Sequence, residues 1–182
     1  MPCAVTLSFD SPTDSAIRGL WQALSEAGLP STMLTLGFGP HLTFSVCQNL
    51  DLDKLQAPLQ ALAVATPPLT VQFSSIGVFP GKEGVVFLGV TVNHALLDFH
   101  TAFWDTAAAY SEGASPYYRP EIWVPHVTLN YALAPGQIGP VVEFLTASSL
   151  PVQGILVMME ITHIREDGNE QMFVTRLRDV SP

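Results

Sequence analysis

A five-residue phrase occurs twice in the chain, as Pro40-His41-Leu42-Thr43-Phe44 and as Pro125-His126-Val127-Thr128-Leu129. Each copy offers an imidazole, whose ordinary pKa near 6.5 lets it serve as acid or base at neutral pH. Two residues on stands a hydroxyl that can donate to a developing negative charge. With 5 His and 14 Thr in 182 residues, chance supplies about 0.4 His-x-Thr triplets, before a proline in front and an apolar residue behind are required. Two full copies therefore point to one piece of chemistry built from two matching parts, with an acid and a base on opposite sides of a reacting centre.

The elements that must hold these parts can be read outward from them. Residues two apart on a strand share a face, so strict alternation places His41, Thr43, Ser45 and Cys47 together, with Leu42, Phe44 and Val46 opposite. In the second copy it groups His126, Thr128 and Asn130, and turns Val127, Leu129 and Tyr131 into the core. Proline favours the start of a strand, so both histidines belong at strand beginnings, open to a cleft.

Upstream of the first copy, residues 4 to 9 alternate as a strand, and a helix capped by Thr13 or Asp14 runs to about Ala27. Downstream come a helix from about Leu52 to Ala65, strands over Leu69–Phe79 and Val85–Val92, and a helix from His94 to about Tyr110, capped by Asn93. The second copy is followed by a helix from about Gln137 to Ala147 and strands near Val152–Arg165 and Gln171–Arg178. Both halves read strand, helix, His-x-Thr strand, helix, strand, with an offset of 81 to 85 residues throughout. That constancy indicates an internal duplication, with halves over about 4–80 and 85–165 and a final strand over 171–178. A duplicated unit assembled about a pseudo-twofold axis would bring the two His-x-Thr faces together across a central groove.

Composition bounds the rest. A chain of 182 residues with 48% hydrophobic and 13% charged residues is long enough for one core, and we read residues 1–182 as a single domain. No apolar run reaches the ~18 residues of a membrane span, and no basic segment opens the chain, so a cytoplasmic protein is expected. The two cysteines, Cys3 and Cys47, fit a reduced intracellular protein, and Cys47 reads as a small buried filler. Seven Lys and Arg against 16 Asp and Glu give a net charge of −9, which opposes attraction to a long nucleic acid. No cluster with zinc-ligand spacing and no Gly-rich phosphate loop appears, so no metal and no cofactor are expected.

The paired motif resembles that of the 2H phosphoesterase superfamily, which includes the bacterial "2′-5′ RNA ligase"-type cyclic phosphodiesterases. The strand Val85-Val-Phe-Leu-Gly-Val90 is similar to the one opening that family's second half, and the order of elements matches over essentially the whole chain. The resemblance implies an α+β, internally duplicated, two-lobed fold, with antiparallel sheets facing a central cleft and helices outside. It also implies metal-free hydrolysis of a 2′,3′-cyclic phosphate or a short 2′-5′-linked oligonucleotide, with the reverse RNA-ligase direction left open. By motif match His41, Thr43, His126 and Thr128 form the catalytic set. Arg119 is the expected phosphate contact, Tyr118 and Trp123 the aromatic faces for a base, and Phe87 a further cleft candidate; packing under the loop is an equal reading for Trp123. The expected partner is a small nucleotide or short oligonucleotide, and the oligomeric state is open. A nucleotide- or RNA-binding module of the same fold with little or no turnover is the alternative.

Overall fold

A computed structural model describes residues 2–165 and 168–178. In chain order the elements are β1 (Cys3–Phe9), α1 (Ser11–Glu26), β2 (His41–Cys47), β3 (Asn49–Leu50), α2 (Leu52–Ala65), β4 (Leu69–Phe79) and β5 (Gly84–Thr91). They continue with α3 (His94–Ala107), β6 (Ser111–Glu112), β7 (His126–Leu133), α4 (Pro135–Thr146), β8 (Gln153–His163) and β9 (Glu170–Arg176). Helices α1, α2 and α3 begin on side-chain caps that satisfy an otherwise orphaned backbone N–H. Asp10 accepts from Thr13 N at 3.3 Å, Asp51 from Lys54 N at 3.4 Å, and Asn93 from Leu96 N at 2.9 Å. The α1 cap thus falls on Asp10, ahead of Thr13 and Asp14, because Pro12 already sits comfortably inside the first turn, where its missing N–H is not needed.

Among the described residues all strand pairings are antiparallel, and seven strands form one sheet in the order β2-β1-β8-β4-β5-β7, with β9 also on β8. The sheets of the two halves are therefore continuous: β4 and β8 join them through the pairs Leu69↔Leu156, Thr70↔Ile155, Val71↔Gly154 and Gln72↔Gln153. An offset of 84 carries residue 69 to 153 and residue 72 to 156, so this short ladder maps onto itself when the halves are exchanged. The two histidine-bearing strands, β2 and β7, lie at the ends of the sheet order and still approach each other in space.

The halves are interlocked beneath those strands. Phe44 of β2 packs its ring against Phe99, His100 and Phe103 of α3, a helix of the other half. Asn130 of β7 accepts from Thr32 N at 3.2 Å and Thr32 Oγ1 at 2.8 Å, and donates to Pro30 O, all in the segment that follows α1. The two-stranded β3–β6 pair adds a further clip between halves. Trp21, Phe44, Phe103, Leu42, Leu88 and Leu129 are among the fully buried side chains of the core.

Strict alternation fails at the same place in both copies of the motif. The β1–β2 register jumps from Thr6↔Thr43 to Val5↔Ser45, and the β5–β7 register from Phe87↔Thr128 to Val86↔Asn130. Each jump is a β-bulge, one extra residue that reverses the facing of everything beyond it. Ser45, Cys47 and Asn130, expected beside the histidines, are buried, while Val46 is half-buried and Tyr131 exposed.

Candidate functional site

His41 and His126 each occupy the first position of their strand and make the same backbone contact. His41 Nδ1 lies 2.7 Å from Gly39 O, and His126 Nδ1 lies 2.8 Å from Val124 O. A carbonyl can only accept, so each Nδ1 carries the hydrogen and donates it. The Nε2 of each ring is thereby the basic nitrogen when neutral, and the ring is held against rotation.

Thr43, His126 and Thr128 line one cavity of about 740 Å³, together with Phe79, Tyr117, Tyr118, Ile122 and Tyr131. Its walls are mostly apolar and aromatic. His41 opens onto a second cavity of about 600 Å³, lined by Ser8, Asp14, Arg18, Phe38, Glu160, Thr162 and Gln171. This one is polar. The two histidines lie within electrostatic reach of one another, since the charge of His41 opposes protonation of His126.

Burial pushes both imidazoles below their ordinary pKa, because a charged ring loses hydration. On each, the bond from Nδ1 to the carbonyl acts the other way. The Glu160 carboxylate adds a further raising effect on His41 alone, and His41 a further lowering effect on His126. Burial also pushes the Tyr118 phenol up, with Tyr131 acting in the same sense.

The other residues singled out from sequence are distributed differently. Tyr118 is half-buried and lines the aromatic cavity. Trp123 borders it too, but its indole face is stacked on His100 at 3.8 Å and 11°, leaving 8% of the residue exposed. Its Nε1 donates to Thr43 O at 3.1 Å, so it fixes the first motif strand and offers no open face to a base. Phe87 stands behind the site, stacked on Phe79 at 4.3 Å and 5.2 Å from the His126 ring. Arg119 is exposed and borders neither cavity, so the structure does not bring it to the histidines.

Sequence reasoning missed Phe79, Tyr117 and Tyr131 in the aromatic cavity and Glu160 in the polar one. Tyr131 was hidden by the bulge. Glu160 carried a legible signal, a lone carboxylate inside the apolar run Leu156-Val-Met-Met-Glu160-Ile-Thr. Among the described residues no group of three or more His, Cys, Asp or Glu side chains is placed to hold a metal ion, and no helix is long and apolar enough to cross a membrane.

Comparison with known proteins gives a consistent picture. A family model described as "2'-5' RNA ligase superfamily" matches residues 11–169. Among solved structures, one titled "Crystal structure of phosphoesterase" aligns with TM-score 0.62 and 18% identity over 97% of this chain and 98% of that one. E. coli LigT complexed with 3'-AMP aligns with TM-score 0.59 and 15% identity over 97% and 98%. TT0787 of Thermus thermophilus aligns with TM-score 0.61 and 14% identity over the whole of both chains. At these identities the likeness is one of fold. No curated protein sequence matches the chain.

Proposed function

Because the chain belongs to the 2′-5′ RNA ligase superfamily, we propose that it is a metal-independent phosphodiesterase acting on a 2′,3′-cyclic phosphate or a short 2′-5′-linked oligonucleotide. Membership itself supports phosphodiesterase or ligase-type chemistry; the substrate class and the roles of residues are our reading. One observation carries it: two histidines on converging strands, each with Nδ1–H tied to the carbonyl two residues back and Nε2 left to accept or give a proton.

In the hydrolytic direction a water oxygen forms the new bond to phosphorus while one neutral Nε2 takes its proton. The bond from phosphorus to a ribose oxygen breaks, its electron pair stays on that oxygen, and the other, protonated Nε2 supplies the proton. Thr43 and Thr128 donate to the non-bridging oxygens as charge builds on them. Tyr118 and Tyr131 offer aromatic faces for a base at about 1–3 kcal/mol each. The crystallised complex of LigT with 3'-AMP concerns a ligand of similar size.

The test is turnover of 2′,3′-cyclic nucleotides and 2′-5′ dinucleotides by wild-type, His41→Ala, His126→Ala and the double variant, with and without a chelator. Each single change should cost about 10²–10⁴ in kcat/KM. The double change should cost far less than the product of the two, as for residues acting as a unit. Chelation should leave the rate intact. A His41→Ala protein of near-normal rate would remove the mechanism, and folded wild-type protein that binds these nucleotides without converting them would establish a binding module instead.

A further inference from the structure

The two halves of the sheet correspond in register and differ in chemistry. In the first, the rows across the strands read His41–Ser8–Met158 and Thr43–Thr6–Glu160. In the second, the corresponding rows read His126–Gly89–Ser75 and Thr128–Phe87–Gly77. Glu160 thus stands where the other half has Gly77, and that glycine is covered by the ring of Phe87. A Cβ built there would lie 2.3 Å from Cζ of Phe87.

Glu160 is also held. Ser8 Oγ, on the residue directly across the ladder from His41, donates to its Oε1 at 2.5 Å, and Gln171 Nε2 donates to Oε2 at 2.9 Å. These two donors fix the carboxylate in place beside the polar cavity. The other charged groups around His41 are Asp14 and Arg18 of α1, which pair with each other at 2.6 Å, and His126, on which the charge of His41 acts. The surroundings of His126 are instead the rings of Phe79 at 4.8 Å and Phe87 at 5.2 Å, with Tyr117, Tyr118 and Tyr131 in the cavity and His41 as the charged group that acts on it.

We propose that Glu160 is a positioning residue that breaks the symmetry of the pair, keeping His41 as the protonated acid toward the departing ribose oxygen and leaving His126 as the neutral base toward water. The proposal rests on the acid–base reading above. It follows from Coulomb's law at a partly buried site, where an anion beside one of two otherwise equivalent imidazoles favours the shared proton on that ring. It also follows from the phenylalanine pair, which offers nothing to stabilise a cation at His126 beyond weak ring contacts. The proton that His126 takes from water and the one His41 gives to the ribose oxygen balance, and no further reactant is needed.

The experiment has two arms. Titrating the histidine ring protons by NMR needs no substrate: His41 should hold its proton to higher pH than His126, and Glu160→Gln should move His41 downward while His126 stays or rises. The kinetic arm compares a 2′,3′-cyclic nucleotide with a nucleotide p-nitrophenyl ester, whose leaving group departs without protonation. His41→Ala should regain most of its about 10²–10⁴ loss on the ester, whereas His126→Ala should not. Glu160→Gln should lose about tenfold on the alkaline side of the cyclic-nucleotide profile and little on the ester. The inference is overturned if His126 titrates above His41, if Glu160→Gln leaves both titrations in place, or if His126→Ala is the variant rescued. A protein inactive on every phosphodiester would defeat the proposed function, and the NMR arm would still decide the role of Glu160.

Discussion

Thr43 and Thr128 both line the aromatic cavity. Thr43→Val and Thr128→Val should each weaken transition-state binding by about 1.5–3 kcal/mol, the value of a hydrogen bond to a charged oxygen, against the larger losses at the histidines. Steady-state kcat/KM on a cyclic nucleotide checks this, and a threonine variant as impaired as His41→Ala would mean that the hydroxyl moves the proton. The pH profile follows from burial. Both imidazoles are pushed below 6.5, so the neutral base survives to lower pH than usual and the protonated acid is lost earlier as pH rises. The bell in kcat/KM should accordingly be centred below pH 6.5, its limbs belonging to the pair. A bell centred above about 7 would contradict the burial. At this scale the sequence was informative because both His-x-Thr copies repeat residue types that chance does not repeat. It offered two readings of Trp123 and could not choose between them, because the choice depends on partners distant along the chain: the indole is stacked on His100 and bonded to Thr43 O.

Element by element, the strands and helices were legible from period and punctuation, and α2 runs from Leu52 to Ala65 as its pattern indicates. What alternation could not reveal is the bulge, since an extra residue in a strand leaves no mark on composition. Phe44 and Leu129, the residues passed over by the register, read as ordinary apolar positions, yet they are why Val46 and Tyr131 face the cleft and Ser45 and Asn130 do not. The same strand holds a testable irregularity. Ala132 has φ 57°, in the left-handed region that costs an L-residue about 1–2 kcal/mol and a glycine nothing. Ala132→Gly gives back part of that gain in unfolded-state entropy, about 0.5–1 kcal/mol. Urea unfolding should show the variant as stable as the parent or up to about 1 kcal/mol more so; a clear loss would show that the backbone there is not strained.

For the whole molecule, acid sensitivity should be set by a histidine away from the reacting centre. His100 is fully buried, stacked on Trp123, and donates from Nε2 to Phe44 O at 3.2 Å, and its pKa is pushed down to about 4 by burial. Above pH 6.5 the ring is neutral whether folded or not. Between 6.5 and 4 the unfolded chain takes a proton that the native state refuses, so stability should fall with pH across that window by up to about 3 kcal/mol. Thermal unfolding of His100→Phe should start from a lower Tm at neutral pH and decline less steeply toward pH 4; an unchanged slope would place the acid sensitivity elsewhere. The repeated order of elements was visible in their spacing, but the interlocking of the two halves was not, because it depends on α3 lying under β2 and the segment after α1 lying against β7. That exchange means that each half completes the core of the other. Severing the exposed loop between Phe79 and Gly84 should yield two polypeptides, each with one histidine and one threonine of the site, that are unstructured when apart. On mixing, the fragments should refold around each other and phosphodiester turnover should appear, making catalysis a reporter of their complementation.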